Sequence, residues 1–203
     1  MKKVGLYFGT FNPIHVGHLI IANYMAHFTE LDEVWLVVSP QNPFKQKSSL
    51  LPDYQRLDLA RVALEDNLKV RVTDVEFKLP RPSYTIHTLA YLKESYPETR
   101  FSLIMGEDNL RSLHKWKNSE QILHDHTVYV YPRVLTVQEK EDLKPYRTNQ
   151  LLANHPNIKN VDAPVMKLSA SFIRNAIKDG HDVRYLLTEP VYKYVTEMNF
   201  YKK

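Results

Sequence analysis

Short runs of aliphatic and β-branched residues alternate with segments of helical period along most of this chain, and that alternation narrows its fold more than any other feature. Residues 3–8 (KVGLYF), 33–38 (EVWLVV), 69–75, 101–105 (FSLIM) and 127–131 (TVYVY) read as strands. Between them, residues 17–28, 53–65 and 85–95 read as helices. Leu57, Ala60, Arg61 and Leu64 recur at helical spacing in the second, and Ile86, Leu89 and Leu92 in the third. Pro52 stands near the start of the second, where a missing N–H does no harm. Residues 169–178 and 190–198 read as C-terminal helices, and 157–161 as a last short strand. Residues 136–149 fit either a helix or an excursion. Strand, helix, strand at this spacing implies crossover connections, hence an α/β protein with a doubly wound parallel sheet covered on both faces. No repeat, low-complexity tract or linker divides residues 1–203, so a single domain is expected.

Composition removes several classes of function. The 203 residues are 43% hydrophobic and 25% charged, as in an ordinary soluble domain. There is no Cys, so no disulfide frame, thiolate zinc site or cysteine nucleophile. The net charge of +4 is too mild for a duplex nucleic-acid binder but compatible with small anions. Between Val4 and Thr29 there is no Lys, Arg, Asp or Glu. Asn12, Pro13, His15 and His18 nevertheless interrupt that stretch, so neither a signal peptide nor a membrane span is expected. A cytoplasmic protein follows.

Ligands of parallel α/β sheets bind beyond the carboxyl ends of the strands, which directs attention to the loops after Phe8, Val38, Met105 and Tyr131. The first is unusual. Of five glycines in the chain, Gly5, Gly9 and Gly17 fall in this opening segment. Gly9-Thr10-Phe11-Asn12-Pro13-Ile14-His15-Val16-Gly17-His18 then leads into an apolar helix. Gly9 allows close backbone approach or a positive φ. Thr10 and Asn12 can bond to loop or ligand. The free amides and dipole of the helix start favour an anion, and His15 and His18, three apart, can share one side of its first turn. Each feature alone has a plain structural reading; together, between a strand and a helix, they describe a phosphate cradle with two imidazole donors.

Gly9-Thr10-Phe11-Asn12-Pro13 followed by His15-Val16-Gly17-His18 closely resembles the signature of the HxGH nucleotidyltransferase superfamily. Its second signature, SxSxxIR, recurs as Ser169-Ala170-Ser171-Phe172-Ile173-Arg174. By motif order the resemblance spans the chain. It implies a Rossmann-like doubly wound sheet, and transfer of a nucleotidyl group from ATP accompanied by Mg²⁺. His15, His18 and Arg174 would then be catalytic. Gly9, Thr10, Phe11, Asn12, Gly17, Ser169, Ser171 and Ile173 would surround the triphosphate, with Ser169 or Ser171 capping the helix that carries Arg174.

The acceptor is suggested by three further blocks that resemble those of the nicotinate mononucleotide adenylyltransferases: Arg81-Pro82-Ser83-Tyr84-Thr85, Gly106-Glu107-Asp108-Asn109-Leu110, and Trp116-Lys117. On that resemblance Ser83, Tyr84, Thr85 and Trp116 hold the acceptor, with Trp116 stacking on a pyridine ring and the amides at Thr85 receiving a carboxylate. Lys45 occupies the place of a family anion-binding cation. Asp108 would hold ribose or orient the Gly106 turn, and Arg133 would border adenine. The implied partners are ATP and nicotinate mononucleotide, with no nucleic acid and no membrane; a homo-oligomer is compatible. Phe8 stands where the family commonly has a second glycine, Ala170 varies a Ser-Ser pair, and Gln41-Asn42-Pro43-Phe44 replaces a Pro-Pro-His run. Rival readings are a phosphopantetheine adenylyltransferase, which typically has Asp in place of Asn12, a non-catalytic nucleotide sensor, and a His-based metal module.

Overall fold

A computed structural model describes residues 1–40, 50–134 and 154–202. Among them, six strands form one parallel sheet: β1 (Lys2–Gly9), β2 (Glu33–Val38), β3 (Val70–Thr73), β4 (Thr99–Gly106), β5 (Val128–Tyr131) and β6 (Ile158–Asn160). Their order is β3-β2-β1-β4-β5-β6. The chain therefore winds one way from β1 and the other way from β4. The crevice at the carboxyl ends of these two strands is the switch point where such sheets bind ligands. Tyr7 pairs with Ile104 and Gly9 with Val38, which brings the end of β1 level with the end of β2.

Side-chain alternation on the strands supplies both faces of the core. Tyr7, Val34, Leu36, Val38, Ile104 and Tyr129 face one way. They meet α1 (Val16–Phe28), α2 (Asp53–Val62), α6 (Ala170–Lys178) and α7 (Glu189–Glu197) through Met25, Leu59, Ile173 and Val191. Leu6, Val37, Leu103, Met105 and Val130 face the other way. They pack with α3 (Thr85–Ser95), α4 (Glu107–Ser112) and α5 (Ser119–Asp125) through Leu89, Leu110 and Ile122. The expected doubly wound sheet with C-terminal helices is present. No described helix is long and apolar enough to cross a membrane.

Several boundaries differ from expectation. Helix α2 ends at Val62, not Glu65; the third strand is confined to Val70–Thr73 and gives way to a 3-10 turn at Val75–Lys78. The pair α4 and α5 had no counterpart in the sequence reading, because each is under two turns long and too short to show a period. Residues 135–153 and Lys45 lie outside the described residues.

Candidate active site

The loop after β1 is built around a buried ring. Phe11 has a positive φ of 46° and is 1% exposed. A Cβ at Gly9 would come within 2.8 Å of that ring, so the glycine is there for clearance; the positive φ that the sequence suggested at Gly9 falls at Phe11 instead. Phe11 meets His18 edge-on, with centroids 5.1 Å apart, and Tyr7 at 5.9 Å.

His15 is the N-cap of α1, and its ring stacks on His18 with centroids 3.7 Å apart and 24° between planes. Its amide donates to His18 Nδ1 at 3.3 Å. An imidazole whose Nδ1 accepts a main-chain N–H carries its own proton on Nε2 when neutral, so His18 presents a donor at that atom. Burial, and secondarily the charge of Arg133, push the His15 pKa down to about 4. At neutral pH it is an uncharged imidazole. A Cβ at Gly17 would sit 3.0 Å from its Nδ1, which is why a glycine follows two residues on.

Residue Asn12 ties this loop to the far end of the chain. Its Oδ1 accepts from the Tyr201 hydroxyl at 2.8 Å and the Leu51 amide at 3.2 Å, and its carbonyl accepts from Arg174 Nη1 at 2.8 Å. Arg174 also donates to Ser171 Oγ at 3.1 Å. Of the two candidate caps it is Ser169 that caps α6, accepting from the Phe172 amide at 3.2 Å. The start of α6 abuts that of α1, since Leu168 Cβ lies 3.8 Å from the position of a Gly17 Cβ. Ile173 is wholly buried in the core, and its amide donates to the Ser169 carbonyl at 3.2 Å.

Across the switch point, Gly106 is the N-cap of α4 and Asp108 stands in its first turn. A Cβ at Gly106 would meet Asp108 Oδ1 at 2.5 Å. That oxygen is buried without a hydrogen-bond partner, while Oδ2 pairs with Arg133 Nη1. The expected ribose and adenine contacts are thus joined to each other here. Tyr7 and Tyr131 share a hydroxyl–hydroxyl bond of 3.1 Å beneath them.

The expected acceptor residues gather on the α3 side. Tyr84 is the N-cap of α3, and Lys117 Nζ lies 4.8 Å above its ring, so the Trp116-Lys117 and Ser83–Thr85 segments adjoin. Trp116, Ile86 and Phe8 all pack on the same core face. Phe8, where a family glycine is usual, is therefore a packing residue. Ser83 is buried near Glu76, whose carboxyl burial raises, while the hydroxyls of Ser39, Thr88 and Ser83 draw it back down.

One electrostatic feature separates these helix starts from the other described ones. The first turns of α1, α3 and α6 carry no Asp or Glu. Those of α2, α4, α5 and α7 all do, at Asp53, Glu107 and Asp108, Glu120 and Glu189. Acids are the usual complement of a helix N-terminus; leaving them out where the two signatures converge keeps the amides and dipole available to an external anion.

Sequence reasoning missed Tyr7, Tyr131, Arg56 and Tyr201. Tyr7 and Tyr131 look like ordinary strand aromatics. Arg56 lies within a helix whose pattern is carried by Leu57, Ala60, Arg61 and Leu64, and nothing marks Tyr201 as reaching Asn12.

An α/β fold with paired imidazoles and an arginine beside an acid-free helix start defines a nucleotide-handling protein. A profile of the cytidylyltransferase-like family matches residues 6–175, and the chain belongs to that family. Its relatives narrow the group. It is 55% identical over 201 residues to the "Probable nicotinate-nucleotide adenylyltransferase" of Flavobacterium johnsoniae, covering 99% of this chain and 100% of that one. It is 54% identical over 201 residues to the protein of the same name in Flavobacterium psychrophilum, with the same coverage. The fold also matches the Plasmodium falciparum nicotinic acid mononucleotide adenylyltransferase solved with NaAD, at a TM-score of 0.78 and 16% identity, over 100% of this chain and 98% of that one.

Proposed function

We propose that this chain transfers the adenylyl group of ATP to nicotinate mononucleotide, giving nicotinate adenine dinucleotide and pyrophosphate. The observation that carries the reading is the set of acid-free helix starts at α1, α3 and α6, which lie with His15, His18, Thr85 and Arg174. A reaction between two anions needs such a field.

An oxygen of the acceptor's phosphate attacks the α-phosphorus, a new P–O bond forms, and the bond to the bridging oxygen breaks as pyrophosphate leaves. The attacking oxygen is already anionic, so no side chain has to remove a proton. What the protein supplies is alignment and stabilisation of charge on the transferred group. In this reading His18 Nε2–H donates to the α-phosphate. His15 backs it as a neutral partner, and Arg174 with the α6 amides holds the phosphates from the other side. Gly9, Thr10, Gly17, Ser169 and Ser171 shape the same cradle, and Asp108 and Arg133 turn to the nucleoside of ATP. Ser83, Tyr84, Thr85 and Trp116 take the acceptor. An amide in place of the nicotinate carboxylate would gain less from the α3 start, so the acid is the substrate.

Mg²⁺ would accompany the triphosphate and neutralise part of its charge. Among the described residues no three His, Asp or Glu side chains gather as a metal cage. The use of ATP supports a cytoplasmic setting.

The test is a side-by-side assay with ATP and either nicotinate or nicotinamide mononucleotide, reading pyrophosphate. The acid should give the higher kcat/KM. Equal values would remove the α3 carboxylate argument, and no pyrophosphate with either would favour a nucleotide sensor.

A further inference from the structure

Arg56 on α2 is entirely buried. Its Nε donates to the Leu51 carbonyl at 3.0 Å, and its Nη1 to the carbonyls of Thr10 at 2.6 Å and Ser39 at 2.9 Å. Nη2 donates to Asp53 Oδ1 at 2.7 Å. Four of the five donors of this guanidinium are thereby used, three of them on carbonyls from three different stretches of loop. The other carboxylate oxygen of Asp53 accepts from Arg81 Nη2 at 2.6 Å. Arg81 lies two residues before Ser83.

A guanidinium is expensive to strip of water, and an apolar side chain would fill the same space more cheaply. A rigid, forked donor does something an apolar group cannot: it fixes the relative positions of the carbonyls it grips. Here those are the nucleotide loop at Thr10 and the end of β2 at Ser39. Asp53 then extends the grip to the arm that carries Ser83, Tyr84 and Thr85.

We propose that Asp53, Arg56 and Arg81 form a positioning relay that sets the acceptor arm in register with the nucleotide loop. Nothing in the relay touches the reacting atoms. The inference rests on the reading of Ser83–Thr85 as the acceptor's contacts. Arg81 controls how well the arm is held for the acceptor. Arg56 controls how well the two loops are aligned for transfer.

The relay separates binding from turnover, and steady-state kinetics with ATP and nicotinate mononucleotide can see that separation. Arg81 is half-exposed, so Arg81→Ala should fold with an unaltered melting temperature. It should raise the acceptor KM about tenfold, the size of one lost charge-assisted bond, and leave the ATP KM alone. Arg81→Lys, which keeps the pair, should restore most of the acceptor KM. Arg56→Lys should lower kcat by about tenfold or more, because an ammonium cannot span the three carbonyls. Asp53→Asn should raise the acceptor KM, and adding Arg81→Ala to it should raise that KM no further, since both act through one carboxylate. Additive effects in the double variant, or unchanged acceptor KM in Arg81→Ala with the wild type active, would overturn the relay. Failure of the wild type to use nicotinate mononucleotide would instead overturn the functional reading. The Arg81 variants decide the matter even where Asp53→Asn does not fold.

Discussion

Arg174 Nη1 donates to the main-chain carbonyl of Asn12 across 162 residues of sequence, at 2.8 Å. That bond fastens the second signature to the first and sets the guanidinium beside the start of α1. Arg174→Lys keeps a positive charge but loses the fork that spans Asn12 and Ser171. Turnover should fall on the order of 10²-fold, as for loss of one preorganised donor. Circular dichroism and the melting temperature should stay close to wild type. An unaltered kcat would take Arg174 out of the chemistry.

His18→Ala should abolish measurable pyrophosphate release while the protein remains folded. The His18 ring stacks on His15 and meets Phe11 edge-on, yet it is only partly buried, so its loss does not open the core. Near-normal activity in a folded variant would show that the donor at Nε2 is not used.

Trp116→Ala should weaken the acceptor more than ATP. The indole is partly buried on the face shared with Ile86 and stands next to Lys117, which covers Tyr84 at 4.8 Å. Fluorescence or calorimetric titration of each nucleotide separately measures the difference. Equal losses for both ligands would make Trp116 a general packing residue.

Stability should depend on His15 below neutrality. Its folded pKa of about 4 lies under the ordinary value of 6.5, so the unfolded chain binds the extra proton first. The stabilisation is complete above 6.5 and is lost as pH falls through about 4, to a total of about 3 kcal/mol. Urea unfolding of wild type and His15→Gln across this window gives the comparison. The wild type should lose more stability than the variant between these limits, and parallel curves would refute the assignment.

Much of this molecule was legible before its fold. Short apolar and β-branched runs located the first five strands, because residues buried in a parallel sheet are mostly apolar, and the segment 157–161 contains the sixth. The first signature announced a phosphate-binding helix start, since glycines and paired histidines at that junction are local features. The short α4 and α5 were not legible, having too few residues to show a period, and neither was the partition of roles between Ser169 and Ser171.

By itself, then, the order of residues determined the parallel α/β architecture, the two signatures and the kind of ligand that their helix starts would accept. Only the tertiary structure decided that Arg174 and Tyr201 converge on Asn12, that Asp108 pairs with Arg133, and that a buried Arg56 grips three loops. Periodicity and capping act within a few residues, where sequence spacing is also spatial spacing. A hydrogen bond between distant segments depends on how the sheet brings strand ends together, and no local pattern records that.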